Sequence, residues 1–182
     1  MLETLSAKVM AGLVSLSMFL FSTYTGNDPQ LSSIRATMGR SYLQLNTRLE
    51  HAFDNDFPEL FKSGTTIPVH FRLEIKSKKQ VHWSKQYTNS SRYDSSTGFW
   101  SVSQSAASRS VKFSSYQQMI AAVAELDCSI PYESNWGDVN VKVEAWLPTV
   151  SFDKMDRKVN LMVLWNYQRP VAKASYNLRK PL

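Results

Sequence analysis

Residues 67–76, IPVHFRLEIK, put Val69, Phe71, Leu73 and Ile75 on one side of an extended chain and His70, Arg72, Glu74 and Lys76 on the other. Side chains alternate across a strand, so this pattern demands a sheet with one face in a core and one in water, which is the habit of antiparallel sheets. Past the polar turn at 77–80, Val81, Trp83 and Tyr87 continue the alternation, and residues 67–88 read as a long hairpin. The same period runs through 41–50 (Leu43, Leu45, Thr47, Leu49), 138–147 (Val139, Val141, Val143, Ala145) and 159–167 (Leu161, Val163, Trp165, Tyr167). Arg92, Tyr93 and Asp94, then residues 99–104, suggest two more strands around the turn at 95–98.

Two segments change period. In 51–63 the side chains of Phe53, Phe57, Leu60 and Phe61 fall at helical spacing, with Asp54 or Asn55 available as a cap and Gly64 after the end, so a short connecting helix is expected. In 114–127, Ser115 and Gln118 resemble a capping box, and Tyr116, Met119, Ile120, Val123 and Leu126 form one apolar stripe, the pattern of an amphipathic helix lying across a sheet. The expected fold is mainly β (α+β): an antiparallel β-sandwich or curled sheet with one amphipathic helix and one short connecting helix.

With 182 residues and 43% apolar side chains the chain has enough material for one genuine core. A single cysteine, Cys128, excludes an internal disulfide and a thiolate-rich zinc site, and it reads as a small buried hydrophobe. Three histidines, His51, His70 and His82, stand outside any HExxH pattern, and no GxSxG, Walker or GxGxxG motif occurs. No catalytic residue, cofactor or metal ligand is assigned. His70 and His82, in the two limbs of the hairpin, share the solvent side with Glu74 if Val69 and Val81 point inwards. That trio is the one acid–base or metal cluster the pattern allows.

Met10 to Phe21 reads MAGLVSLSMFLF, twelve residues without a charge behind Lys8. This is short for a membrane-spanning helix and matches the apolar region of an export signal, with cleavage near residues 23–26 or retention as an anchor. The domain reading is therefore an export signal or N-terminal membrane anchor at 1–26, a β-rich domain at 27–170 and a basic C-terminal tail at 171–182. The expected location is periplasmic, or anchored in the inner membrane and facing the periplasm.

The net charge of +6 is unevenly spread. Between Val69 and Tyr93 six bases face one acid, and after Asp156 come Arg157, Lys158, Arg169, Lys173, Arg179 and Lys180 with no acid. These segments carry +5 and +6, which leaves the rest of the chain at −5. Such segregation implies attraction to something anionic. The hairpin is the expected contact surface, with Arg72, Lys76, Lys78, Lys79 and Lys85 as partner-binding residues. An envelope protein or an anionic membrane surface is the expected partner of an exported domain. Nucleic acid is an alternative because Trp83, Tyr87 and Tyr93 interleave with the bases. An enzyme, hydrolase-type or metal-dependent, is another. A carbohydrate-binding reading needs two or three of the five tryptophans exposed on one plane.

The order of elements also carries a resemblance. A Leu-alternating strand, the passage AFDNDFPELFKSGTTIPVHFRLEI, a Trp-bearing strand, a helix SYQQMIAAVAEL and the strands VKVEAWLP and VNLMVLWNYQRP, together spanning roughly residues 31–170, resemble a bacterial family of exported proteins built on a domain of unknown function. The resemblance implies a signal or anchor followed by a β-rich extracytoplasmic domain, and it carries over no catalytic residue; the function expected from the chain as a whole is a non-enzymatic envelope accessory or scaffold that works by binding.

Overall fold

Alternation becomes strand wherever one side of it reaches a core, and β4 (Ile67–Lys76) shows this most cleanly: Ile67, Val69, Phe71, Leu73 and Ile75 are all fully buried. The structure, a computed structural model, describes residues 26–78, 80–152 and 157–179. The other elements are β1 (Gln30–Leu31), β2 (Arg35–Met38), β3 (Tyr42–Glu50), α1 (Phe57–Lys62), β5 (Val81–Asp94), β6 (Phe99–Gln104), β7 (Arg109–Phe113), α2 (Tyr116–Ala124), β8 (Glu125–Pro131), β9 (Asp138–Trp146), β10 (Thr149–Phe152), β11 (Arg157–Asn160) and β12 (Val171–Asn177). Short 3₁₀ helices occupy Ser134–Trp136 and Leu161–Trp165. The mainly β expectation with two helices and antiparallel sheets holds.

Six strands form one antiparallel sheet in the order β12-β9-β4-β5-β6-β7. In a smaller sheet β3 pairs antiparallel with β1, β2 and β8, while β10 and β11 make a separate pair. The apolar faces share one core, and named bonds stitch it together. The Tyr176 hydroxyl of β12 donates to the Ile34 carbonyl at 2.6 Å, and the indoles of Trp100 and Trp165 donate to the carbonyls of Phe61 (3.3 Å) and Ala52 (2.8 Å). Buried indoles need such acceptors, because an unpaired N–H in a core costs as much as a lost hydrogen bond.

Several expectations are corrected. Helix α2 stops at Ala124 rather than at Asp127, because side chains from the sheet take its terminal carbonyls: Gln104 donates to Ala122 O at 2.7 Å, and Asn89 to Val123 O at 3.1 Å and to Glu125 O at 2.6 Å. Beyond that stop Leu126, Cys128 and Ile130 alternate into the core as β8, paired with β3. Helix α1 is only the 57–62 part of the expected stretch, and its cap position is Asp56. Asn55 is used elsewhere: its backbone N–H donates to Asn27 Oδ1 at 2.8 Å and its side-chain amide to Gly26 O at 3.0 Å. Gly26 and Asn27 are themselves buried, Gly26 with φ 73° and with no room for a Cβ against Asn166, so the domain starts no later than Gly26. The expected strand at 159–167 is a strand only to Asn160. Leu161, Met162, Leu164 and Trp165 then bury together at helical spacing, started by Asn160 Oδ1 accepting from Met162 N at 3.0 Å. The expected basic tail is, over Val171–Asn177, the edge strand of the large sheet. The export signal or anchor lies outside the described residues except for Gly26. No helix among the described residues is long and apolar enough to cross a membrane.

Candidate functional site

Residues directly opposite in an antiparallel pair share a face, so the register sorts every polar side chain of the large sheet. One row on the side away from the core runs Val171, Glu144, Arg72, Gln86. The next runs Lys173, Lys142, Glu74, Ser84, and a third holds Trp146, His70 and Thr88. This solvent-facing side holds two of the five expected contact residues. Arg72 and Lys76 lie on it. Lys78 is exposed in the turn beyond, and Lys79 lies outside the described residues. Lys85 pairs with Leu73 and stands in period with Trp83 and Tyr87, on the core side of the sheet, where its ammonium sits 5.3 Å from the Tyr87 ring centre. The four described residues of the set therefore do not converge.

The trio of His70, His82 and Glu74 also separates, and the cause is a β-bulge. Ile75 pairs with Trp83 but Lys76 with Val81, which leaves His82 as the extra residue and turns Val81 outward, 49% exposed. His82 stacks on Trp136 with ring centres 4.7 Å apart and planes at 14°. Glu74 is bound to Lys76 at 2.8 Å. His70 Nδ1 shares a hydrogen bond with the Thr88 hydroxyl at 2.9 Å, and burial pushes its imidazole below the usual histidine range. Among the described residues no three His, Cys, Asp or Glu side chains gather as metal ligands. Cys128 is buried, and burial followed by the neighbouring Asp127 charge pushes its thiol up to about 12, so no thiolate is at hand.

What the register does assemble centres on Trp146. Its ring lies 5.3 Å from that of His70, and the guanidinium carbons of Arg72 and Arg169 lie 5.7 and 5.8 Å from its centre. Both distances fall within the range of cation–π attraction. Arg169 also reaches Glu144 at 3.3 Å, and Lys142 reaches the other oxygen of that carboxylate at 3.1 Å. Burial raises the Glu144 carboxyl, but these two cations outweigh it and hold the group below the usual carboxylate range. Arg72 lies directly across from Glu144, yet among the described residues its side chain has no ion pair or hydrogen bond, and its fork of N–H donors is uncommitted. Arg72, Trp146 and Arg169 come from β4, from the end of β9 and from the loop before β12, so only the strand order brings them together.

Of the other tryptophans, Trp100 and Trp165 are buried, Trp83 lies on the core side, and Trp136 is covered by His82. One indole on the outer face does not meet the condition set for a carbohydrate platform. A concavity of about 640 Å³ lies between residues 48–54 and α2, with Tyr116 and Ile120 in its wall and His51 and Asp54, 3.2 Å apart and both mostly exposed, at its lip. In comparisons with protein-family models, with curated proteins and with solved structures, the chain matches none of them.

Proposed function

We propose that this is a non-enzymatic binding or scaffold domain of the bacterial cell envelope that captures an anionic partner on the solvent-facing side of its six-stranded sheet. The observation that supports it is the Trp146 cluster: an indole on an otherwise polar face, with two guanidinium groups gathered on it and one of them, Arg72, uncommitted. Trp and Arg are the residue types that anchor interfaces, and a cation near a low-dielectric ring is partly desolvated in advance. The extracytoplasmic location rests on the apolar run from Met10 to Phe21 ahead of a domain that starts no later than Gly26. A reporter active only outside the cytoplasm, fused to the C-terminus, tests that part.

The contact surface is tested by in-cell crosslinking of the full chain against an Arg72→Gln, Arg169→Gln variant. Loss of the captured neighbours with an unchanged thermal transition is the expected result. Unchanged capture removes this face from consideration. An enzyme is the second reading, favoured by the His51–Asp54 pair at the lip of the concavity beside α2, since a carboxylate can orient an imidazole as a general base.

A further inference from the structure

Two more observations bear on what kind of anion this face holds. The first is conformational. The 3₁₀ helix Leu161–Trp165 ends in a backbone cap in which Asn166 N donates to Val163 O at 3.1 Å and Tyr167 N to Met162 O at 2.8 Å. Such a cap needs one left-handed residue, and Asn166, φ 49°, supplies it. Tyr167 is also left-handed, φ 58°, and 66% exposed. A bulky residue is strained there and glycine is not. The residue stays mostly exposed, and along the chain it stands two residues before Arg169, whose guanidinium reaches the Trp146 ring. Strain held by an exposed aromatic next to a binding cluster points to contacts made outside the chain.

The second observation is charge density. Lys76 is matched by Glu74, and Lys142 and Arg169 by Glu144, which leaves Arg72, Arg92, Lys112 and Lys173 without an ion pair among the described residues, one to a strand and interleaved with acids. A nucleic acid strand presents a dense line of phosphates, and an anionic membrane needs several free bases in one plane. Neither fits a surface already half neutralised. A sparse set of carboxylates, each able to take a guanidinium fork in two parallel bonds, does.

Resting on the function proposed above, we infer that the partner is a protein presenting an acidic segment, with Trp146 and Tyr167 as aromatic anchors and Arg72 and Arg169 as carboxylate clamps. The test measures binding of the purified full chain, by tryptophan fluorescence at physiological ionic strength, to a glutamate-rich peptide with a central leucine, its glutamine counterpart, phosphatidylglycerol vesicles and oligothymidylate. The glutamate peptide should bind and the glutamine peptide should not. Arg72→Ala should weaken binding about tenfold, the loss of one charge-assisted pair. Tyr167→Gly should weaken it as well while raising the melting temperature by about 2 °C, because it removes the left-handed strain. A merely structural tyrosine would not move those two readings in opposite directions. Binding of vesicles or oligothymidylate through Arg72, with the peptide ignored, overturns the acidic-protein assignment and leaves capture of an anion by this face standing. Absence of binding to every anionic probe overturns both.

Discussion

The two sides of β4 are made by the same ten residues under different rules. Towards the core, Val69, Phe71, Leu73 and Ile75 are excluded from water completely, and each has one acceptable chemistry, apolar and of the right volume. Towards solvent, His70, Arg72, Glu74 and Lys76 satisfy the fold with almost any polar composition, so what they are is set by what they meet. The Trp146 cluster on that free side is not explained by folding: an indole that gathers two guanidinium groups in water adds little to stability.

This contrast is broken most violently from inside. Phe71→Ala should cost about 3–5 kcal/mol, since it deletes an aromatic ring from a fully packed site and leaves a cavity. Chemical denaturation should show the midpoint falling with the slope unchanged. A loss below about 1 kcal/mol would mean that the face is not packed as described.

The next largest effect concerns a polar residue on the core side. Asn89 is 1% exposed and holds the carbonyls of Val123 and Glu125 where α2 turns into β8. Asn89→Ala leaves those carbonyls without their donor, and a loss of about 2 kcal/mol is expected, the cost of unsatisfied buried acceptors. Hydrogen exchange should localise the damage to 122–126. Uniform loosening of the whole sheet would contradict the capping role.

On the free side the expectation reverses. Arg72→Gln should change stability by no more than about 0.5 kcal/mol, as surface substitutions do, while removing one of the two charges at the Trp146 ring. A large fall in the melting temperature would show that Arg72 holds the sheet together and is not available to a partner.

The same contrast explains what is legible in the chain itself. β3, β4 and β9 could be read directly because each has one buried side, and burial writes period two. β7, RSVKF, is an edge strand with four exposed residues in succession, so nothing imposed an alternation on it. β8 was hidden because Leu126 completes both the helical stripe of α2 and the strand pattern of Leu126, Cys128 and Ile130. Only the capping of Ala122 and Val123 by residues of β5 and β6 decides between the two, and that is a long-range fact. At the site, the parity of Lys85 was legible, since it lies in phase with Trp83 and Tyr87. The bulge at His82 was not, nor was the meeting of Arg72, Trp146 and Arg169, which depends on β9 lying between β4 and β12.

The smallest effect, and the one that best sharpens the boundary between the two sides, belongs to His70. It points away from the core but is half-buried between Trp146 and Thr88, and burial holds its pKa below the ordinary 6.5. As pH falls through 6.5 the unfolded chain takes up a proton before the folded one does, so the folded state loses stability from that point down to the lowered folded pKa. His70→Gln keeps a hydrogen-bonding group near Thr88 and removes the titration, so the fall in melting temperature between about pH 7 and pH 5 should be shallower in the variant than in the native chain. Parallel curves would mean that the solvent-facing row is wetter than the contacts of His70 indicate. The Trp146 cluster would then lose the low-dielectric setting that makes its cations strong.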